Sequence, residues 1–354
     1  MDGARLRDDL AGLTPYDPDM RPVRVMLSAN ENNWGLPRGM RDELARRLAD
    51  VPLNRYPDAT APRVRALLGE LWGVPARDVV VGNGGDELIF DLLLAFGGAG
   101  RAVVNCPPTF SAYEMYARLT ATRVVDVPRL PDFSVDEAAV LAAATRPDVS
   151  LVVLTSPNNP TGNLGRPGFV RELARATQAL VVVDEAYGEF CDPSASCVPL
   201  AREFPNVCVL RTLSKAYALA GARVGYVVCP AAVADGLLAV RQPYSVSRLD
   251  QVAAEVVLER RAELLPAVEA VKAERARLTD LLGALPGVTV WPSEANFVLM
   301  RAPGADALHE ALAARSILVR NFSHAPGLSD CLRVSVGRPE ETDELVAALR
   351  ELLA

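Results

Sequence analysis

Lysine is almost missing from this chain. Of its 37 basic residues only Lys215 and Lys272 are lysines, and the rest are arginines. An arginine side chain stays protonated and cannot attack a carbonyl. A lysine amine can, once its pKa falls, and the product is a Schiff base. The two survivors differ in setting. Lys272 lies in Val271-Lys272-Ala273-Glu274-Arg275, a charged helical face for solvent to cover. Lys215 lies in Thr212-Leu213-Ser214-Lys215-Ala216, between hydroxyls and an apolar-small run that reaches Gly225. That setting suits a buried reactive amine beside an anion site.

Other scarcities exclude other chemistries. His309 and His324 are the only histidines, so an imidazole-based metal site is not expected and no metal is assigned. The six cysteines form no CxxC pair. They read as reduced, small hydrophobes of a cytoplasmic protein rather than as a disulfide framework. No uninterrupted apolar run approaches the ~18 residues of a membrane span. Met1 to Leu13 has no apolar stretch of the kind a secretory signal carries. The net charge of −7 argues against nucleic acid as the main partner, although local basic pockets survive in an acidic protein.

With 354 residues, the chain has room for a large domain and a smaller one. The opening residues read as an arm. Thr14-Pro15-Tyr16-Asp17-Pro18 excludes a regular helix interior, because proline removes donors and fixes φ. Helices are predicted near 37–50 and 61–72. From Asp78 onward strands alternate with helices. Strands are predicted at about 78–81, 102–104, 123–125, 150–154, 180–183, 207–210 and 224–228. Several are continuously apolar, as when both sheet faces are covered. The alternation means an α/β unit with a mainly parallel sheet. Beyond Pro230 the pattern changes to α+β, with one long helical stretch from about 248 to 283 and short strands near 288–290, 296–300 and 331–336. The expected organisation is an N-terminal arm at 1–45, a large α/β domain at 46–240 and a small C-terminal domain at 241–354 that packs with the arm.

Ligands of open α/β sheets bind beyond the carboxyl ends of the strands. Four such ends carry polar groups here. Gly82-Asn83-Gly84-Gly85-Asp86-Glu87 offers glycines and helix-start amides to an anion, or is a plain tight turn. Ser156-Pro157-Asn158-Asn159-Pro160-Thr161-Gly162 is a rigid turn that can point an amide outward. In Val183-Asp184-Glu185-Ala186-Tyr187 an acid follows a buried strand, which is costly unless it meets a cation. An ordinary helix cap is the plainer use for Asp184. The Lys215 stretch adds Thr212, Ser214 and Arg223, which suit a phosphate. One ligand explains all four: a pyridine ring with an aldehyde and a phosphate, that is, pyridoxal 5′-phosphate.

On these residues the chain resembles the fold-type I, class II aminotransferases. Ser28-Ala29-Asn30-Glu31-Asn32, Arg55-Tyr56-Pro57-Asp58, Ser293-Glu294-Ala295-Asn296-Phe297 and Leu332-Arg333-Val334-Ser335-Val336-Gly337 extend the resemblance along nearly the whole chain. It implies a fold-type I transferase, α/β, with a mainly parallel sheet in the large domain. It implies Lys215 as the Schiff-base lysine and proton carrier, Asp184 against the pyridine nitrogen, and Asn159 and Tyr187 on the ring oxygen. Gly85, Asp86, Thr212, Ser214 and Arg223 would hold the phosphate, and Phe110 would stack on the ring. Tyr56 would reach the cofactor of a second subunit, which makes the protein a homodimer. Arg333, with Arg320 and Asn30, would bind substrate. The expected substrates are an amino donor such as histidinol phosphate and a 2-oxo acid acceptor. An aromatic amino acid as donor, or a lyase that decarboxylates threonine phosphate, stays open, and a regulatory domain that merely binds the cofactor is disfavoured. The chain departs from the pattern at Asn33-Trp34, where proline commonly follows, at Phe110, Ala218 and Ala222, and at Arg338.

Overall fold

The computed structural model describes residues 7–13, 19 and 21–354. The predicted helix-breaking segment Thr14 to Pro18 lies outside the described residues. The first strand, β1 (Val25–Leu27), is followed by helices Arg38–Ala49 and Pro62–Trp72. Seven strands then build the large sheet: β2 (Val79–Asn83), β3 (Ala102–Asn105), β4 (Arg123–Asp126), β5 (Val149–Thr155), β6 (Leu180–Asp184), β7 (Val207–Thr212) and β8 (Val224–Val228). Their order is β2-β8-β7-β6-β5-β3-β4. β8 alone runs against its neighbours. The mixed α/β architecture with a mostly parallel sheet is the expected one.

The continuous apolar runs follow from two covered faces. On β5, Val152 and Leu154 point into one core and Leu151 and Val153 into the other. Helices such as Gly84–Phe96 and Pro167–Ala176 supply the covers. Each fully buried side chain of this size contributes roughly 1.5–3 kcal/mol. From β3 the chain passes to β4 at one edge, and from β5 it proceeds through β6 and β7 the other way. The crevice at that reversal is where a ligand fits.

The second sheet has five strands in the order β1-β11-β12-β10-β9, with β9 (Thr289–Val290), β10 (Phe297–Arg301), β11 (Ile317–Asn321) and β12 (Cys331–Ser335). β1 lies parallel to β11, with Val25 opposite Ile317. The sequence reading placed no strand at β1 or β11. β1 is three residues long and its partner is far away in the chain, which leaves no local signal, whereas β11 does begin with the apolar run Ile317-Leu318-Val319. Two other differences have local causes. The predicted turn at 82–87 is instead the end of β2 joined directly to a helix, because Gly84 turns the chain at a φ of +78°. The long helical stretch is broken into Arg248–Glu259 and Leu265–Gly283 by a 3-10 turn, Arg261–Leu264. Pro266 sits in the first turn of the second helix, where its missing N–H costs nothing.

Candidate active site

Asp184 ends β6, and its side chain is buried. One carboxylate oxygen accepts the Tyr113 hydroxyl at 2.6 Å and the other accepts the Ala186 amide at 3.0 Å. Burial raises its pKa to about 6, against the pull of those two donors. A carboxylate held this way gains from a cation placed against it. Tyr113 was not singled out from the sequence. It lies in the amphipathic helix Ala112–Leu119 and packs in an apolar core, so its pattern reads as core. Its hydroxyl also accepts from Thr155 at 2.9 Å, which fixes its proton on Asp184.

Lys215 follows β7 and is half-buried. Its Nζ donates to the Ala29 carbonyl at 3.1 Å and stands 5.9 Å from the centre of the Tyr187 ring. Burial first, and then the Arg333 guanidinium, bring its pKa down to about 8. The Tyr187 hydroxyl accepts from Asn30 Nδ2 at 3.0 Å, which leaves its own hydrogen to donate. Asn159 Oδ1 accepts from Arg333 Nη1 at 2.5 Å, which leaves the Asn159 amide hydrogens to donate. Arg333 also donates to the Ser28 carbonyl at 2.6 Å. On the adjacent strand Arg320 stands directly across from it. The two arginines therefore share one face of the small sheet.

The phosphate side is built from β7, β8 and the helix that starts at Gly84. Thr212 Oγ1 donates to Ser214 Oγ at 2.9 Å and accepts the Ser214 amide at 3.1 Å. Arg223 Nη2 donates to Asp86 at 2.7 Å, and its Nη1 reaches Ser214 Oγ only at 3.5 Å. Arg223 itself sits at a φ of +49°, the left-handed region. Glycine is required at two points nearby. A Cβ on Gly84 would lie 2.5 Å from Arg223 Nη2, and one on Gly225 would lie 2.5 Å from the Gly84 carbonyl carbon. The first amides of the Gly84–Phe96 helix, Gly85 and Asp86 among them, therefore open beside a guanidinium and two hydroxyls. Such a cradle fits a phosphate.

The structure thus brings Lys215, Asp184, Tyr187, Asn159, Asn30 and Arg333 together with Gly85, Asp86, Thr212, Ser214 and Arg223. Phe110 is half-buried and meets Tyr113 edge to face at 5.7 Å between ring centres. Tyr56 stands apart: it is 83% exposed and stacks on Tyr244 at 4.8 Å. Asn296 and Ser335 were quoted only inside motifs, yet both serve the site. Asn296 donates to the Asn30 carbonyl at 3.0 Å, and Ser335 Oγ accepts the Asn30 amide at 2.8 Å. Among the described residues no group of histidine, cysteine and carboxylate side chains could hold a metal ion, and no helix is long and apolar enough to cross a membrane.

The model of the family "Aminotransferase class I and II" matches residues 23–349. The chain belongs to this family. Curated histidinol-phosphate aminotransferases are similar along nearly the whole chain. The histidinol-phosphate aminotransferase of Methylibium petroleiphilum is 41% identical over 354 residues, covering 99% of this chain and 95% of its own. That of Thermobifida fusca is 42% identical over 359 residues, covering 100% and 95%. Among solved structures, the Sinorhizobium meliloti histidinol-phosphate aminotransferase in complex with pyridoxal-5′-phosphate superposes with a TM-score of 0.90 at 26% identity. That match covers 99% of this chain and 98% of the other. This aminotransferase has the donor set that pyridoxal phosphate needs: an amine whose pKa burial brings down to about 8, a buried carboxylate, amide and phenol hydrogens left to donate, and a phosphate cradle.

Proposed function

We propose that this aminotransferase moves an amino group from histidinol phosphate to a 2-oxo acid such as 2-oxoglutarate. In this reading it works in the cytoplasm as a homodimer in which Tyr56 of each subunit serves the other subunit's site. The proposal rests foremost on the convergence of Lys215, Asp184, Asn159, Tyr187 and Arg223 at neighbouring strand ends. The names of the relatives that match end to end support the donor. Exposure of Tyr56 beside Leu53 and Tyr244, an apolar surface on the single chain, supports the dimer. The large and small units would meet near residues 45 and 240.

Pyridoxal phosphate, when bound, supplies a carbonyl carbon for amines and a protonated ring that accepts an electron pair. The chain's own residues do the rest. Gly85, Asp86, Thr212, Ser214 and Arg223 hold the phosphate, and Phe110 covers a ring face. Asp184 keeps the ring nitrogen protonated, and Tyr113 keeps Asp184 in place. Asn159 and Tyr187 donate to the ring oxygen. Arg333 and Arg320 bind the acidic end of the substrate, and Asn30 lines the same side. Lys215 Nζ takes the proton from the donor's α-carbon and returns it one atom along, as base and then acid. It can do so near neutral pH because its pKa is brought down to about 8.

The deciding experiment compares the rate with histidinol phosphate against the rate with phenylalanine on the reconstituted protein, and assays for CO₂. The expected result is a clear preference for histidinol phosphate without CO₂ release. Preference for phenylalanine would replace the donor, and CO₂ would replace the reaction class. Lys215→Ala is the control, expected to lose at least ~10³-fold of the rate.

A further inference from the structure

The segment that carries Ala29 and Asn30 into the site is tied down at both ends. Inside, Ala29 meets Lys215 at 3.1 Å, Asn30 meets Tyr187 at 3.0 Å, and Asn32 Nδ2 donates to the Ala216 carbonyl at 3.2 Å. Outside, a closed ring of bonds joins it to the start of the last helix, Pro339–Leu352. Asn33 Nδ2 donates to Glu341 Oε2 at 2.7 Å. The same oxygen accepts the Arg338 amide at 2.6 Å, and Arg338 Nε returns to the Asn33 carbonyl at 2.9 Å. The joint is close-packed. A Cβ on Gly337 would lie 2.7 Å from Leu27 Cδ2 and 2.8 Å from Glu341 Oε2.

We propose that Asn33, Arg338 and Glu341 are positioning residues, a latch that sets where Ala29 and Asn30 meet Lys215 and Tyr187. Only Glu31 and Asn32 separate Asn33 from Asn30, a span of about 10 Å at most, so the latch acts on the site alongside the bonds from Ser335, Asn296 and Arg333 that hold Asn30 and Ser28 directly. Asn33 and Arg338 touch one another directly, although they lie far apart in the chain. The latch depends on Lys215 being the amine that takes the cofactor, and not on which amine is the donor.

The charged groups acting on Lys215 are Arg333 from β12, Glu31 from the arm, and Arg223 and Asp86 from the phosphate side, with the Tyr187 ring beneath. No latch residue is among them. A latch variant therefore reaches Lys215 through the Ala29 carbonyl, an acceptor that favours the ammonium form. The test measures how fast the cofactor-free protein captures pyridoxal phosphate as a function of pH, followed by the absorbance of the lysine-bound chromophore. Asn33→Ala and Arg338→Ala are expected to move the midpoint down by as much as roughly one pH unit, the worth of losing one hydrogen bond to a charged group outright. Arg171→Ala, at an exposed ion pair with Glu203, is expected to leave it in place. An unmoved midpoint in either folded latch variant, whatever its melting temperature, overturns the latch. Arg338 is exposed, so loss of its side chain is expected to spare the fold even where Asn33→Ala does not. Wild-type protein that captures no cofactor would instead overturn the reading of Lys215.

Discussion

Two arginines on the β7–β8 hairpin illustrate opposite uses of one side chain. Arg211, on β7, is 3% exposed, against Glu185 at 2% and Glu189 at 14%. It gives Glu185 bonds of 3.0 and 2.5 Å and Glu189 one of 2.7 Å, and its cation lies 4.3 Å from the Trp72 ring centre. Arg223, just before β8, is 44% exposed beside Asp86 at 41%. It makes one firm bond and holds a left-handed backbone. The buried cation is saturated by its own chain. The open one keeps donors in hand. A charge that serves the fold has every partner built in, whereas a charge that serves a ligand is left with a place to fill.

The contrast can be broken at either arginine. Arg211→Met leaves two carboxylates buried without their cation and is expected to cost about 3–5 kcal/mol. Urea melts would measure it, and a loss within 1 kcal/mol would show that Arg211 is dispensable to the fold. Arg223→Gln removes an exposed pair worth ~1 kcal/mol or less to the fold. It should nevertheless weaken pyridoxal phosphate binding on the order of tenfold to a hundredfold, the value of a charge-assisted bond to phosphate. Equilibrium titration of the cofactor-free protein reads that out. The same variant sharpens the contrast through Lys215. Burial, then Arg333, and to a lesser degree Arg223 hold its pKa down, and Arg211 is not among the causes. Only the neutral amine attacks, so capture of the cofactor should rise through about pH 8 in the wild type. The midpoint should lie higher in Arg223→Gln, because a cation that disfavours the ammonium is gone. The smallest effect is expected at Tyr113→Phe, which takes one of two donors from Asp184. It should lower cofactor affinity about fivefold, one hydrogen bond's worth, without disturbing the melt beyond ~1 kcal/mol.

How much of this was legible in advance follows from how local each signal is. Lys215, Asp184, Asn159 and Arg223 stand at strand ends in segments whose chemistry is unusual over four or five residues, and the strands that carry them are long apolar runs. Their convergence needed only the rule that strand ends share one edge. Tyr113 was hidden because a buried tyrosine on an amphipathic helix looks the same whether its hydroxyl is used or not. Asn296 and Ser335 act through backbone groups of Asn30, which no side-chain pattern encodes. β1 and β11 pair across most of the chain, and the reversed direction of β8 leaves no mark in its apolar sequence. The break at Arg261–Leu264 is marked in the sequence only by Pro266, and the helical pattern resumes at once around it.

The pairing of β1 with β11, and of Asn30 with Ser335 over 305 residues of sequence, has a consequence during synthesis. Translation adds roughly 5–20 residues per second. The segment at β1 is made well before β11 and Ser335, so these particular bonds wait until those residues have followed. The large sheet, whose neighbours arrive in close succession, can form meanwhile with its strand ends exposed. The segment with β12 follows later and adds the Ser335 and Arg333 contacts to the bonds that the arm makes with Tyr187, Lys215 and Ala216. Until β12 has followed, the amine of Lys215 lacks the Arg333 guanidinium that helps lower its pKa. The surroundings of Lys215 are therefore completed by residues far from it in the chain, on either side.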